Sequence, residues 1–165
     1  MLNEEQIRKY LELSIDLAKE GFEKDNYPIG SIIVNSQGNI IAKGFNENTT
    51  QKDITAHAEI LCIRQSGLAL SKDATGENIL FTSLEPCFGC SFFIARTNIK
   101  KIYWALEDPH RGGIGDLKSE IMFKDFFPNI ELVSEPYEDL KGQSKDLMRK
   151  FFLAKGNAKT ANLYS

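Results

Sequence analysis

Apolar and polar positions recur along this chain with two different periods, and the switches between them divide it into elements. From Asn3 to Lys24, residues Ile7, Tyr10, Leu11, Ser14, Leu17, Ala18 and Gly21 fall at a spacing near 3.6 with charges between them, which predicts an amphipathic helix laid on a core. Asn26-Tyr27-Pro28 ends it. Ile29 to Val34 is a short apolar run of strand type, Asn35-Ser36-Gln37-Gly38 a turn, and Asn39 to Phe45 a second strand, so a hairpin is expected. Asn46 to Asp53 is polar and aperiodic and reads as a loop. Thr55 is the expected N-cap of a helix that runs to about Gln65 and stops at Gly67.

The second half alternates in the same way. Asn78 to Leu84 predicts a third strand, Pro86 opens a helix where its missing N–H costs nothing, and Lys101 to Leu106 predicts a fourth strand. Glu107 to Gly115 is a loop, Asp116 to Phe127 a short helix and Ile130 to Val133 a fifth strand. Glu138 to Ala154 predicts a final helix with Leu140, Leu147, Met148, Phe151 and Phe152 facing inward. The order αββαβαβαβα implies an α/β fold, a sheet covered by helices on both faces, with the hairpin as one antiparallel pair in a mixed sheet. With no internal repeat, low-complexity tract or linker, one domain over residues 1–165 is expected.

Composition narrows the partners. The 165 residues are 42% hydrophobic, enough to fill a core without disulfides. A net charge of −3 argues against a surface built wholly for nucleic acid. The charge is uneven, however: residues 141–160 carry Lys141, Lys145, Arg149, Lys150, Lys155 and Lys159 against Asp146, a local +5 that leaves −8 elsewhere. That end either holds RNA phosphates or is the solvated face of an amphipathic helix. No signal peptide or membrane span is legible, and two of the three cysteines form a C-x-x-C suited to thiolate ligands in a reducing compartment, so a cytoplasmic protein with no membrane partner is expected.

The candidate chemistry lies in His57-Ala58-Glu59 and Pro86-Cys87-Phe88-Gly89-Cys90. His57, Cys87 and Cys90 are three ligands of zinc type, and neither Cys62 nor His110 makes an obvious fourth, which leaves one position open for water. Cys87 and Cys90 fall on the first turn of a helix, whose N-terminus favours thiolates. On a regular helix His57 and Glu59 would point about 200° apart, so His57 is expected at the non-helical entry. The competing reading is a closed zinc knuckle, or buried thiols beside an unrelated histidine. Glu59 favours catalysis, since a purely structural zinc has no need of a carboxylate, and Cys62 reads as a small core residue.

The pattern H-x-E followed by P-C-x-x-C resembles the cytidine and deoxycytidylate deaminase superfamily. Further likeness lies in Pro28-Ile29-Gly30, Gly44-Phe45-Asn46, Thr55 to Ile60, Leu84-Glu85-Pro86-Cys87, and Asp108 with Gly112 to Gly115; it covers roughly residues 5 to 120 and is nearest the branch of bacterial tRNA adenosine and guanine deaminases. The resemblance implies a three-layer α/β/α sandwich with a five-stranded mixed sheet and Zn2+ on His57, Cys87 and Cys90. It also implies Glu59 as proton carrier, Asn46 and Asp108 on the substrate, and a homodimer. The expected reaction is hydrolytic deamination of a nucleobase amine with release of ammonia, on a purine (tRNA adenosine, guanine or a purine nucleoside), with free cytosine or cytidine as the alternative substrate. The rival from another class is a non-catalytic, zinc-stabilised nucleotide- or RNA-binding module. Asn46 has a second reading as an Asx-turn residue, and Asp108 as a loop residue before Pro109. Gly89, Ser91-Phe92-Phe93 and Pro109-His110-Arg111 depart from the family pattern, so the pocket wall is where divergence is expected.

Overall fold

The computed structural model describes residues 2–71, 74, 76–119 and 130–165. Helix α1 (Glu4–Glu23) starts in a capping box, in which the Asn3 side chain accepts from the Gln6 N–H and the Gln6 side chain accepts from the Asn3 N–H. Its stripe Tyr10, Leu11, Ser14, Ile15, Leu17, Ala18 and Gly21 is buried. Strands β1 (Gly30–Asn35) and β2 (Ile40–Phe45) form the expected hairpin, with Gly38 at φ 84 and the Asn35 side chain accepting from the Gln37 and Asn39 N–H groups. After α2 (Asn48–Gln51) and α3 (Ala58–Ser66) come β3 (Asn78–Thr82), α4 (Phe88–Ala95), β4 (Ile99–Trp104) and α5 (Ile114–Ser119). Then β5 (Glu131–Ser134), α6 (Glu138–Ala154) and α7 (Ala158–Ala161) complete the described elements, α7 running into a 3-10 turn over Asn162–Tyr164.

The strands form one sheet in the order β2-β1-β3-β4-β5. β1 runs antiparallel to both β2 and β3, while β3, β4 and β5 are mutually parallel. This corrects the expectation of a single antiparallel pair. The crossover through α3 carries the chain from β2 past β1, so β3 enters on the far side of β1 and pairs antiparallel with it.

Side chains alternate across the pleat and sort the core into two layers. Ile32, Val34, Phe81 and Tyr103 pack with Tyr10, Leu11 and Ile15 of α1 and Leu140 of α6. Ile33, Leu80, Ile102 and Trp104 pack on the other face with Cys62, Cys90, Ile94 and Leu117 of α3, α4 and α5. Cys62 is the core residue its position suggested, its thiol donating to the Ser31 carbonyl. β1 is buried along nearly its whole length because both faces are covered, which is why it reads as a continuous apolar run. The arrangement is the expected α/β/α sandwich.

Local differences have local causes. The stretch expected as a loop contains α2, organised by buried Asn26, whose side-chain oxygen accepts from the Thr49 and Thr50 N–H groups. Thr55 is not the cap of α3; it is held back by the Asp53 carboxylate, and His57 is the N-cap. Pro86 lies one residue before the N-cap of α4, which is Cys87. The short helix expected from Asp116 starts earlier, at Ile114, and its expected part beyond Ser119 lies outside the described residues.

Candidate zinc and active site

The site forms where two helices begin. His57 has φ −72 and ψ 147 and Cys87 φ −69 and ψ 168, both extended, so each stands at the entry of its helix rather than within it. α3 and α4 are each short and rely on burial for their positions, α3 through Ala58 and Cys62, α4 through Ile94 and Ala95. Cys90, one turn into α4, then falls beside Cys87. His57 Nδ1 lies 3.4 Å from Cys90 Sγ and 3.7 Å from Cys87 Sγ. Zinc–sulfur and zinc–nitrogen bonds at a tetrahedral angle would set N and S about 3.6 Å apart. The three donors therefore fit the metal, and they form the one such group among the described residues.

Electrostatics around these donors are shared. Cys87 is pulled down to about 4, chiefly by the thiol of Cys90 donating to it and then by His57. Cys90 is pushed up for the reciprocal reason, while hydrogen bonding to Cys87 raises His57. The residues alone thus hold one thiolate, and ligation of zinc requires the second proton to leave. Glu59, in the first turn of α3, is 3% exposed, with Oε2 3.6 Å from Cys90 Sγ. Burial, then the negative charge of Cys87, pushes its carboxyl up to about 7. A carboxylate at that point both takes and returns protons near neutrality.

A cavity of about 260 Å³ opens over Glu59, His57 and Cys87. It lies beyond the carboxyl ends of β3 and β4, the usual place for a ligand in a sheet with parallel strands. Asn46 and Asp108 both line it, so all the expected site residues converge, with Cys90 behind the lining. Asn46 is 1% exposed; its Oδ1 accepts from the Asn48 N–H at 3.1 Å and its Nδ2 donates to Asn48 Oδ1. The Asx-turn reading is therefore realised. One lone pair and one N–H of the amide remain for other partners. Asp108 Oδ1 accepts from the Tyr164 hydroxyl at 2.6 Å and from the His110 N–H at 2.9 Å.

Several lining residues escaped the sequence reading. Asn48 orients Asn46 while donating to the Asp53 carbonyl at 2.7 Å, and the short N-x-N spacing was the only signal for it. Met148 and Phe152 of α6 and Tyr164 wall the far side, with the rings of Phe152 and Tyr164 stacked 5.8 Å apart at 13°. Phe151, Phe152 and Tyr164 belong to a third core cluster with Leu84 and Leu106, closed by Tyr27 and Ile29. Nothing in the sequence pairs Tyr164 with Asp108, which lie 56 residues apart. Phe93, whose place one turn after Cys90 suggests the core or the pocket wall, is instead on the outer surface of α4 with Phe92, while Ser91 is buried and its hydroxyl donates to the Cys87 carbonyl. His110 and Arg111 are exposed at the pocket rim. Among the described residues, no helix is long and apolar enough to cross a membrane.

Comparison with known proteins agrees with this geometry. Residues 4–106 match the family described as the cytidine and deoxycytidylate deaminase zinc-binding region. The tRNA-specific adenosine deaminase of Agrobacterium fabrum is 31% identical over 147 residues, 88% of this chain and 93% of that protein. That of Bacillus subtilis is 32% identical over 130 residues, 79% of this chain and 80% of the relative. Among solved structures, one from work on A-to-I editing by tRNA:A34 deaminases superposes with a TM-score of 0.69 at 28% identity, covering 85% of this chain and 99% of its own. The guanine deaminase of Bacillus subtilis does so with a TM-score of 0.55 at 36% identity, over 65% of this chain and 66% of its own. Because the family match spans well over half of the sequence and contains His57, Cys87 and Cys90, the three side chains that could hold a metal ion, with Glu59 between His57 and Cys87, the chain belongs to the cytidine and deoxycytidylate deaminase family and is a zinc-dependent hydrolytic deaminase.

Proposed function

We propose that the substrate is a purine of the size of a free base or nucleoside, and that Glu59 carries the protons while Asn46 and Asp108 hold the base. Zinc held by His57, Cys87 and Cys90 would supply an acidified water. Glu59 would take a proton from the attacking water as its oxygen bonds to the amine-bearing ring carbon, and deliver that proton to the adjacent ring nitrogen. It then moves the remaining hydroxyl proton to the amine. The C–N bond breaks, ammonia leaves and a carbonyl remains. The purine preference rests on the tRNA adenosine and guanine deaminase relatives.

The observation that carries the size preference is the aromatic wall. Tyr164 is 2% exposed, tied to Asp108 and stacked on Phe152, so the segment after α6 encloses the base site. A specific observation also favours tRNA adenosine: the basic end of the chain adjoins this wall. Its excess is reduced by pairing, since Lys141 lies 2.9 Å from Glu135 and Lys155 2.6 Å from Asp25. Ammonia release should be seen with guanine, adenine or their nucleosides and should vary little between about 50 and 200 mM salt. Activity on tRNA alone, falling steeply over that range as phosphate contacts are screened, would overturn the size assignment.

We further infer a cytoplasmic homodimer of one-domain chains. The free thiols of Cys62, Cys87 and Cys90 suit a reducing compartment. Phe88, Phe92 and Phe93 of α4 are 49%, 37% and 53% exposed, an aromatic patch that a second copy would cover. Light scattering should return twice the chain mass, and Phe93→Glu should return the chain mass; a wild-type monomer would contradict the assignment.

A further inference from the structure

We propose that Glu85 is a positioning residue, one carboxylate that clasps the loop from Asp108 to Gly113, bonding its first N–H and filling the space beside Gly112, and so fixes Asp108 over the zinc site. The proposal rests on the purine-deaminase reading for the role of Asp108, but the clasp itself can be tested without it.

The loop leaves the end of β4 and returns at the start of α5, carrying Asp108, His110 and Arg111 to the pocket. Glu85 stands across from it, two residues before Cys87. Its Oε2 accepts the N–H of Asp108 at 3.3 Å, at the start of the loop. The same carboxylate lies against Gly112, near the end of the loop. A carboxylate accepts the Asp108 bond and needs no donor in return.

Gly112 and Gly113 record how closely the two segments approach. A Cβ on Gly112 would sit 2.0 Å from Glu85 Oε2 and 2.6 Å from its Cδ, so the carboxylate fills the space a side chain would need. A Cβ on Gly113 would lie 2.5 Å from the Phe88 ring. Around the clasp the backbones are stitched together: Glu85 N–H donates to the Leu106 carbonyl at 2.8 Å, Gly113 N–H to the Pro86 carbonyl at 3.3 Å, and Cys87 pairs with Gly112 in an antiparallel bridge. The segment that ends in a zinc ligand and the loop that carries a substrate contact are therefore one unit. Within it, the Glu85 carboxylate bonds the start of the loop and packs against Gly112 near its end.

The alternative role for a pocket carboxylate is direct contact with substrate, and the two roles part in a double-mutant cycle. Steady-state kinetics, zinc content and amide exchange would be measured for Glu85→Ala, Glu85→Gln, Gly112→Ala, Asp108→Ala and the Glu85→Ala/Asp108→Ala pair. Glu85→Ala should lower kcat/KM about 10²-fold through misplacement of Asp108, chiefly in KM, with zinc still near one per chain. Gly112→Ala expels the carboxylate without removing it and should reproduce the loss. Glu85→Gln, whose amide oxygen still accepts, should recover most of the activity. In the Asp108→Ala background, Glu85→Ala should cost little more. Exchange of the Asp108 N–H should accelerate in Glu85→Ala and not in Glu85→Gln. Additive losses in the cycle, loss of zinc from Glu85→Ala, or unchanged exchange would overturn the proposal. Silence of the wild-type protein on every purine would overturn the substrate reading instead, and the exchange result would still decide the clasp.

Discussion

In the proposed mechanism Glu59 must be buried to act on a desolvated base and still ionise to accept a proton. Its place in the first turn of α3 buries it, and that burial, with the negative charge of Cys87, pushes its carboxyl up to about 7. Tyr164 is the opposite case. Burial, and then its bond to Asp108, push its hydroxyl well above the ordinary tyrosine value, so it stays neutral and donates across the working range. Below pH about 10 the tyrosine is protonated in both the folded and the unfolded chain. Above that value the unfolded chain releases a proton that the folded chain retains, so stability falls as pH rises, at no more than about 1.4 kcal/mol per pH unit. Urea midpoints at pH 8, 10 and 11 should therefore fall more steeply for wild type than for Tyr164→Phe. Tyr137 is also raised but is present in both proteins, so the difference isolates Tyr164. Parallel curves would contradict the assignment of a buried, donating Tyr164.

Among the elements, α1 packs closely on β1, on the face of the sheet opposite α3 and α4. A Cβ on Gly30 would lie 2.1 Å from the Ser14 carbonyl oxygen and 2.7 Å from the Ala18 nitrogen. Both are backbone atoms of a helix, which no rotamer change can relieve. Gly30→Ala should therefore push α1 outward and cost about 1–3 kcal/mol or more of unfolding free energy by urea titration; a neutral substitution would show that α1 docks less closely than the structure places it. The helices on the other face were legible for a local reason. Cys87 and Cys90 are three apart, so one helical turn brings them together, whereas His57 and Glu59, two apart, would diverge on a regular helix and meet because His57 stands at the extended N-cap. The helix starts were less legible. Thr55 looks like a cap and Pro86 like a first helical residue, and in both cases the metal-ligating residue is the true N-cap. Asp53 competes for Thr55, and that competition is visible only in three dimensions.

For the whole molecule, periodicity showed five strands and their covering helices but not the place of β1 at the turn between the antiparallel and parallel parts of the sheet. Strand order depends on where a crossover lands, and the sequence carries that only through burial on both faces of β1. The site divides in the same way. His57, Glu59, Cys87 and Cys90 were legible because their chemistry and spacing are local, and Asn46 because it ends a strand. Asn48, Glu85, Tyr164 and the Phe152 wall were not, because each acts through a partner supplied by another segment. The residues that bind metal can thus be found from spacing, whereas those that choose the substrate depend on how distant segments fold over the pocket.

The central claim, a zinc site worked by Glu59 on a purine, is tested most directly by ammonia release from purine bases and nucleosides by zinc-loaded wild-type and Glu59→Gln proteins, with metal content measured on the same samples. The account predicts turnover of at least one purine by wild type, a loss of about 10²–10⁴-fold in kcat for Glu59→Gln, and zinc near one per chain in both. An unchanged rate in zinc-loaded Glu59→Gln would contradict it.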